Sequence, residues 1–343
     1  MTYIRNTWYV AGWDSDVCAG DVVSRRILDV PLVFFRDDDG LVVALHDMCP
    51  HRFAPLSKGK LNGGSIVCGY HGLAFDRHGK CSDNPHGPIV PALCVQDYPV
   101  VERHRALWIW MGDRDKANRE LIPDLGFVDE KPEAFGTGYL NIPADYRLMV
   151  ENILDLSHTD YLHPDTLGGV ITGAKTIVTE DEDSVSIQWK SESQNLPPTL
   201  LAPYQAIYPN NDPVGDLNAI VRWYPPSILA QDTRFGPPGT VEDPPIKGLM
   251  THIFTPESEG KTHYFYSVVD DFIAADPSMK EVIIGGLGAV FATEDSPMLA
   301  GQYERMNGRD FWDMKPVLLS IDRAPTKVRR RIDELVKAEA VSV

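Results

Sequence analysis

The chain has 343 residues, 43% of them hydrophobic and 24% charged, enough for about two domains with sizeable cores. Lys and Arg number 32 against 49 Asp and Glu, a net charge of 32 − 49 = −17. So acidic a surface repels phosphate backbones and anionic lipid, so neither nucleic acid nor a membrane is an expected partner.

The opening segment MTYIRNTWYVAGWDSD lacks a basic stretch followed by an apolar run and a small-residue cleavage site. No uninterrupted apolar stretch approaches the roughly 18 residues of a membrane span, and a cytoplasmic location is expected. Five cysteines, Cys18, Cys49, Cys68, Cys81 and Cys94, are an odd number. In a reducing compartment, metal ligation explains such residues better than disulfides.

From residue 21 to 111, short apolar runs alternate with turn signals. RRILDVPLVFFRDDDGLVVALHDM holds two runs rich in Val, Leu and Phe around Asp39-Gly40, which predicts a hairpin. GLAFDRHGKCSD repeats the pattern around His78-Gly79, and ALWIWMGD reads as a further strand. This half is expected to be all-β, with loops carrying Cys and His.

Those loops hold CPHRFAPLSKGKLNGGSIVCGYH, residues 49–71: a C-x-H pair and a C-x2-H pair with sixteen residues between them. Thiolate and imidazole ligands at this spacing suit either a structural zinc site or an iron–sulfur cluster. Pro50, Gly69 and Gly72 allow tight turns around buried atoms, which favours the cluster. Cys18, Cys81 and Cys94 read as small apolar residues, and His46, His78, His86 and His104 as surface or loop residues.

After Gly112, DRDKANRELIPDLGFVDEKPEAFGTG loses periodicity and gains charge, Pro and Gly, marking a boundary. Two domains are expected, residues 1–114 and 115–343. In the second, YRLMVENILDLSHTDYLH has apolar residues at near-helical spacing; TIVTEDEDSVSIQW and GLMTHIFTPESEGKTHYFYSVV read as strand pairs; AVFATEDSPMLAGQYERM and APTKVRRRIDELVKAEA read as late helices. The whole is α+β, with an all-β first domain and an antiparallel-sheet-and-helix second domain.

The segment ENILDLSHTDYLHPD carries two histidines, His158 and His163. Five residues apart on an ideal helix, they would diverge by roughly 140° and could not serve one ion. Pro164 removes the objection, because a residue before proline is pushed out of helical geometry, freeing His163 to swing toward His158. A 2-His-1-carboxylate triad on ferrous iron needs one acid more, and Asp155, Asp160, Asp165 and Asp295 are all candidates.

CPHR, the sixteen-residue spacer and CGYHG match the Rieske motif. ENILDLSHTDYLH resembles the iron-binding segment of Rieske non-haem iron oxygenases, in the branch with vanillate O-demethylase and dicamba monooxygenase, and the similarity runs along nearly the whole chain. The resemblance implies a Rieske [2Fe-2S] cluster, with Cys49 and Cys68 on one iron and His51 and His71 on the other, and a mononuclear Fe(II) held by His158, His163 and Asp295. It implies that Asp155 bridges His71 of one chain and His158 of another in a head-to-tail homotrimer, and that Asn152 lies close to the iron. The implied reaction is O-demethylation of a methoxylated aromatic acid with O2, or methyl hydroxylation or ether oxygenation by the same site. No dinucleotide fingerprint is present, so electrons must come from a ferredoxin or an NAD(P)H-dependent reductase, docking on Arg52, Lys58, Lys60, Arg77 and Lys80. A Rieske electron carrier without enzymatic activity is the competing expectation. His252 falls where the dicamba enzyme presents a carboxylate-binding histidine. Ala230 or Gln231 stands where that enzyme has Asn, and Gly286 where it has Trp, which predicts a different and wider substrate pocket.

Overall fold

A computed structural model describes residues 3–341, which divide into two compact units. One runs to Asp124 and includes Thr255–Glu259; the other comprises Leu125–Phe254 and Gly260–Val341. The first unit thus extends ten residues past the boundary expected from the charged, Pro-rich segment, to 124 rather than 114.

The first unit is built of three small sheets. Trp8–Trp13, Ala106–Trp110 and Val100–Arg103 form one; Val23–Ile27, Val30–Arg36, Val42–His46 and Asp97–Tyr98 a second; Lys60–Asn62, Ser65–Val67, Ala74–Phe75 and Cys81–Asp83 a third. Both expected hairpins are present. Gly40 donates to the Asp37 carbonyl and Gly79 to that of Asp76, each with a positive φ suited to glycine. Thr255–Glu259 belongs here because Thr255 Oγ1 donates to the Val10 carbonyl at 2.8 Å, while Leu28 and Asp29 donate to Pro256 and Glu257.

The second unit is a seven-stranded antiparallel sheet. Its spatial order is Phe135–Ile142, Lys261–Asp270, Ile246–Ser258, Ile228–Gly236, Val214–Tyr224, Val185–Asn195 and Lys175–Glu180. Both strand pairs read from the sequence are there. The interior strand Val214–Tyr224 carries little period-2 signal because Asp216 and Asn218 are buried among its apolar residues, and its neighbour Ile228–Gly236 is interrupted by the polar run at residues 231–234. Residues 135–142 pair with Lys261–Asp270, so the tail of the apparent linker is an edge strand.

Helix Tyr146–Leu154 begins at Asp145, whose carboxylate accepts from the Arg147 amide at 2.9 Å, a standard N-cap. It packs against Arg323–Val341, where the buried Arg329 guanidinium holds Glu151, with Nη2 2.9 Å from Oε2. The run Met279–Met306 is helical throughout, with a π-helical turn at Phe291–Asp295. By length and composition alone it is apolar enough to cross a membrane, a run missed when only uninterrupted apolar stretches are counted, because Glu294 and Asp295 stand inside it.

Candidate mononuclear iron and iron–sulfur centres

The two cysteine loops share one backbone design. Cys49 donates to the Ala54 carbonyl at 2.9 Å and Cys68 to that of Leu73 at 2.8 Å, while Phe53 and Gly72 donate back to the Cys49 and Cys68 carbonyls. The fifth residue of each loop is left-handed, Phe53 at φ 59° and Gly72 at φ 76°. Gly72 adopts this freely; Phe53 does so at a cost on the order of 1 kcal/mol, which the surrounding bonds must offset. Gly59 lets the loops close, since a Cβ there would lie 2.0 Å from the Val67 carbonyl oxygen.

Cys49 and Cys68 are buried on a core that includes Val33, Phe35, Leu45, Leu56 and Phe75. Burial pushes the Cys49 thiol up, an effect the neighbouring Cys68 reinforces. His51 and His71 stand on the open side with ring centroids 4.5 Å apart. Partial desolvation and the neighbouring His51, His86 and Arg52 hold His71 below the usual imidazole range, so its neutral ring is available as a ligand. Two buried thiols and two accessible imidazoles match in kind the donor set of a [2Fe-2S] centre in which two cysteines hold one iron and two histidines the other. His86, taken from sequence as a surface residue, accompanies them: its Nε2 lies 2.8 Å from the His71 carbonyl oxygen.

The second site forms where helix Tyr146–Leu154 ends. Asp155 leaves helical geometry at φ −121° and ψ 86°, a 3-10 turn follows at Leu156–His158, and Thr159–Leu162 makes one short turn. His163 is non-helical at φ −119° and ψ 43°, directly before Pro164. The expected escape of His163 from the helix occurs, and a second break at Asp155, invisible in the apolar spacing, contributes. The two rings end with centroids 5.3 Å apart.

Asp295 completes the group. Its Oδ1 lies 3.4 Å from His158 Nε2 and 3.3 Å from His163 Nε2, and one donor atom from each of the three residues falls within 4.8 Å of the others. The other acids are engaged elsewhere or point away. Asp160 accepts from the amides of Gly169, Val170, Ile171 and Thr172; Asp165 is exposed; Asp155 Oδ1 accepts from the Ser157 amide at 3.0 Å. Asn152 donates to Asp295 Oδ1 at 2.9 Å, and its own Oδ1 is buried without a partner among the described residues.

The ring nitrogens facing away define the tautomers. His158 Nδ1 faces the Asp155 carbonyl and His163 Nδ1 faces the Glu294 carboxylate at 2.8 Å; both partners only accept, so each Nδ1 carries the hydrogen and each Nε2 offers its lone pair. Burial lowers the His158 pKa, but hydrogen bonds to Asp295 and Asp155 outweigh it and leave the group raised. Two imidazoles and one carboxylate whose donor atoms lie within 4.8 Å of one another are the donor set of ferrous iron in a 2-His-1-carboxylate triad. Glu294 escaped the sequence reading; its only signal was the acidic pair that ends in Asp295.

The proposed substrate residues fall on different surfaces. His252 is buried, with Nδ1 2.7 Å from Tyr264 Oη and Nε2 3.1 Å from Gln231 Oε1. Of the two neighbouring candidates, the pairing of Leu229 with His252 puts Ala230 on the opposite sheet face, so Gln231 is the residue that meets the histidine. Gly286 is exposed, and a Cβ there would touch nothing within 4 Å. The glycine that makes room is Gly288, where a Cβ would lie 2.4 Å from Tyr266 Oη.

Sequence comparison decides the family. Residues 7–99 match the Rieske [2Fe-2S] domain and residues 142–338 the vanillate O-demethylase oxygenase C-terminal domain. The chain belongs to the vanillate O-demethylase family of Rieske oxygenases. Among its relatives, the dicamba O-demethylase oxygenase component of Stenotrophomonas maltophilia is 37% identical, over 99% of this chain and 100% of that protein. The oxygenase component of chloroacetanilide N-alkylformylase from Rhizorhabdus wittichii is 34% identical, over 98% and 97%. The crystal structure of dicamba monooxygenase bound to dicamba superposes with a TM-score of 0.90 at 34% identity, covering 99% of this chain and all of that one. This member of the Rieske oxygenase family is therefore a monooxygenase component with a [2Fe-2S] cluster and a mononuclear iron site, and it needs a reductase or ferredoxin.

Proposed function

We propose that the protein is the oxygenase component of an aromatic O-demethylase. The observation that carries this reading is the convergence of His158, His163 and Asp295 in a chain that aligns end to end with a dicamba O-demethylase component. When bound, the cluster supplies single electrons and the ferrous ion supplies oxygen activation. The balanced reaction is Ar–O–CH3 + O2 + 2 electrons + 2 H+ to Ar–OH + CH2O + H2O, in which the hydroxylated methyl group leaves as formaldehyde.

Residues of this chain divide the remaining work. His158, His163 and Asp295 would hold the metal; Asn152 keeps Asp295 in place; Asp155 fixes the His158 ring through its carbonyl. His252, Gln231 and Tyr264 form the polar end of the substrate pocket. The His252 Nε2–H is spent on Gln231 Oε1, so a substrate carboxylate would reach that donor only by turning Gln231 aside. Gly286 enters this reading only as an unobstructed helix position.

The same reading places the protein in a homotrimer, with Asp155 of one copy linking its His158 to His71 of the next. Supporting it, Asp155 Oδ1 is engaged while Oδ2 has no partner among the described residues, and a cleft of about 570 Å3 opens beside Asp155, Asn152 and His158. Its rim carries the exposed Val317. The electron donor is proposed to dock at the exposed Arg52, Lys58, Lys60 and Lys80; Arg77 drops out, since Asp37 and Asp39 hold its guanidinium at 2.7 and 2.6 Å. A cytoplasmic location belongs to this reading.

A second reading, oxidative N-dealkylation of an uncharged anilide, is favoured by the saturated, neutral His252 and by the N-alkylformylase relative. A screen of methoxybenzoates, uncharged methoxyarenes and N-alkyl anilides with a surrogate reductase separates the two. Formaldehyde with matching phenol from the ethers supports O-demethylation; aldehyde only from anilides overturns it.

A further inference from the structure

We propose that Glu294 is a positioning residue for the iron ligand His163, holding its ring so that Nε2 faces the metal and enriching that nitrogen as a donor. The proposal rests on the reading of His163 as an iron ligand and adds a residue that the motif does not contain.

His163 is 1% exposed, and its backbone is pinned from both directions. Its amide donates to the Thr159 carbonyl at 2.9 Å, and its carbonyl accepts from the amides of Thr166, Leu167 and Gly168 at 3.1, 3.1 and 2.9 Å. With the main chain fixed, rotation of the ring is the freedom that remains. Glu294 Oε2, 2.8 Å from Nδ1, removes it and leaves Nε2 facing Asp295 Oδ1 at 3.3 Å. Adjacent side chains on a helix point about 100° apart, which suits them to opposite nitrogens of one ring and not to the same one. The residues concerned close a π-helical turn, Phe291–Asp295, a distortion frequent at functional sites.

The two histidines are thereby made unequal. His158 Nδ1 donates to a neutral backbone carbonyl, whereas His163 Nδ1 donates to a full carboxylate. A charge-assisted bond is roughly twice as strong as a neutral one and shifts more electron density onto the far nitrogen. Asp295 and Glu294 also place two negative charges around one buried imidazole, favouring a divalent cation over an empty site.

The test uses full-length protein with its Rieske cluster intact and its mononuclear site emptied by chelation, titrated with Co(II) and followed by the ligand-field bands of the bound ion. Glu294→Ala should weaken the Co(II) Kd by about 10- to 100-fold and shift the bands, with Glu294→Gln, which keeps shape and loses charge, intermediate. Far-UV circular dichroism checks folding, and Glu294→Gln decides should the alanine variant fail to fold. His163→Ala must abolish the tight site in the same assay. If His163→Ala binds like the parent, the assignment of the iron site fails. If it loses Co(II) while both Glu294 variants keep the parent Kd and bands, the positioning role is overturned and the iron site stands.

Discussion

Asn152 Nδ2 lies 2.9 Å from Asp295 Oδ1, joining residues 143 positions apart, and the same amide reaches to within 3.4 Å of His158 Nε2. The helix that delivers Asn152 and the helix that delivers Asp295 are thus tied at the atom where both histidines converge. Asn152→Leu, similar in size and unable to donate, should lower iron occupancy and kcat together while leaving the cluster spectrum unchanged. Iron analysis beside the visible spectrum of the purified variant checks this; full occupancy would remove the anchoring role.

Gly286 and Gly288 should respond oppositely to alanine. At Gly288 a Cβ meets Tyr266 Oη, whose hydrogen bond to the Ile284 carbonyl at 3.0 Å must then break, so Gly288→Ala should cost about 1–3 kcal/mol. At Gly286 there is open space in a helix, and alanine should stabilise by up to about 1 kcal/mol. Denaturant unfolding of the two variants measures both. Loss of stability in Gly286→Ala comparable to Gly288→Ala would contradict the packing described.

His252 gives a pH signature. Burial lowers it from 6.5 to about 4, with Asp295 pulling weakly the other way. The unfolded chain therefore binds a proton there that the folded chain refuses, so this contribution is complete above about pH 6.5 and is lost as pH falls toward 4. Across that window it amounts to about 3 kcal/mol. His252→Gln is less stable than the parent at neutral pH, and the gap in unfolding free energy should narrow from about pH 6.5 to about 4; a constant gap would show that His252 titrates normally.

Iron retention should fall with pH for a separate reason. His158 must be neutral to ligate, yet Asp295 and the Asp155 carbonyl raise its pKa above the ordinary imidazole value. Protons thus compete with metal from a pH above that value downward. Equilibrium dialysis against Fe(II) under anaerobic conditions should give a Kd that weakens steadily as pH drops; a flat profile would mean that His158 does not compete.

Much of this was legible in the residues. The C-x-H and C-x2-H spacing marked both cysteine loops, and Pro164 signalled that His163 leaves the helix. The acid that completes the triad was not legible from local reading, because Asp155, Asp160 and Asp165 are closer in sequence to the histidines than Asp295, which only tertiary packing brings to them through Asn152. Glu294 was missed because it acts through a single ring contact with no spacing rule behind it, whereas His86 is the exposed loop residue that was expected. Gln231 became separable from Ala230 only once strand register fixed which faced His252. The strand Val214–Tyr224 was hidden by buried polar residues such as Asp216, which accepts from the Ser193, Gly239 and Thr240 amides.

The most direct measurement is metal analysis of the parent beside His158→Ala, His163→Ala and Asp295→Ala, each with its visible spectrum and its oxygen uptake on a turned-over aromatic substrate. Each variant should hold one fewer iron per chain, keep an unchanged cluster spectrum, and consume no oxygen. Variants that retain the parent's iron and turnover would contradict the three-residue iron site.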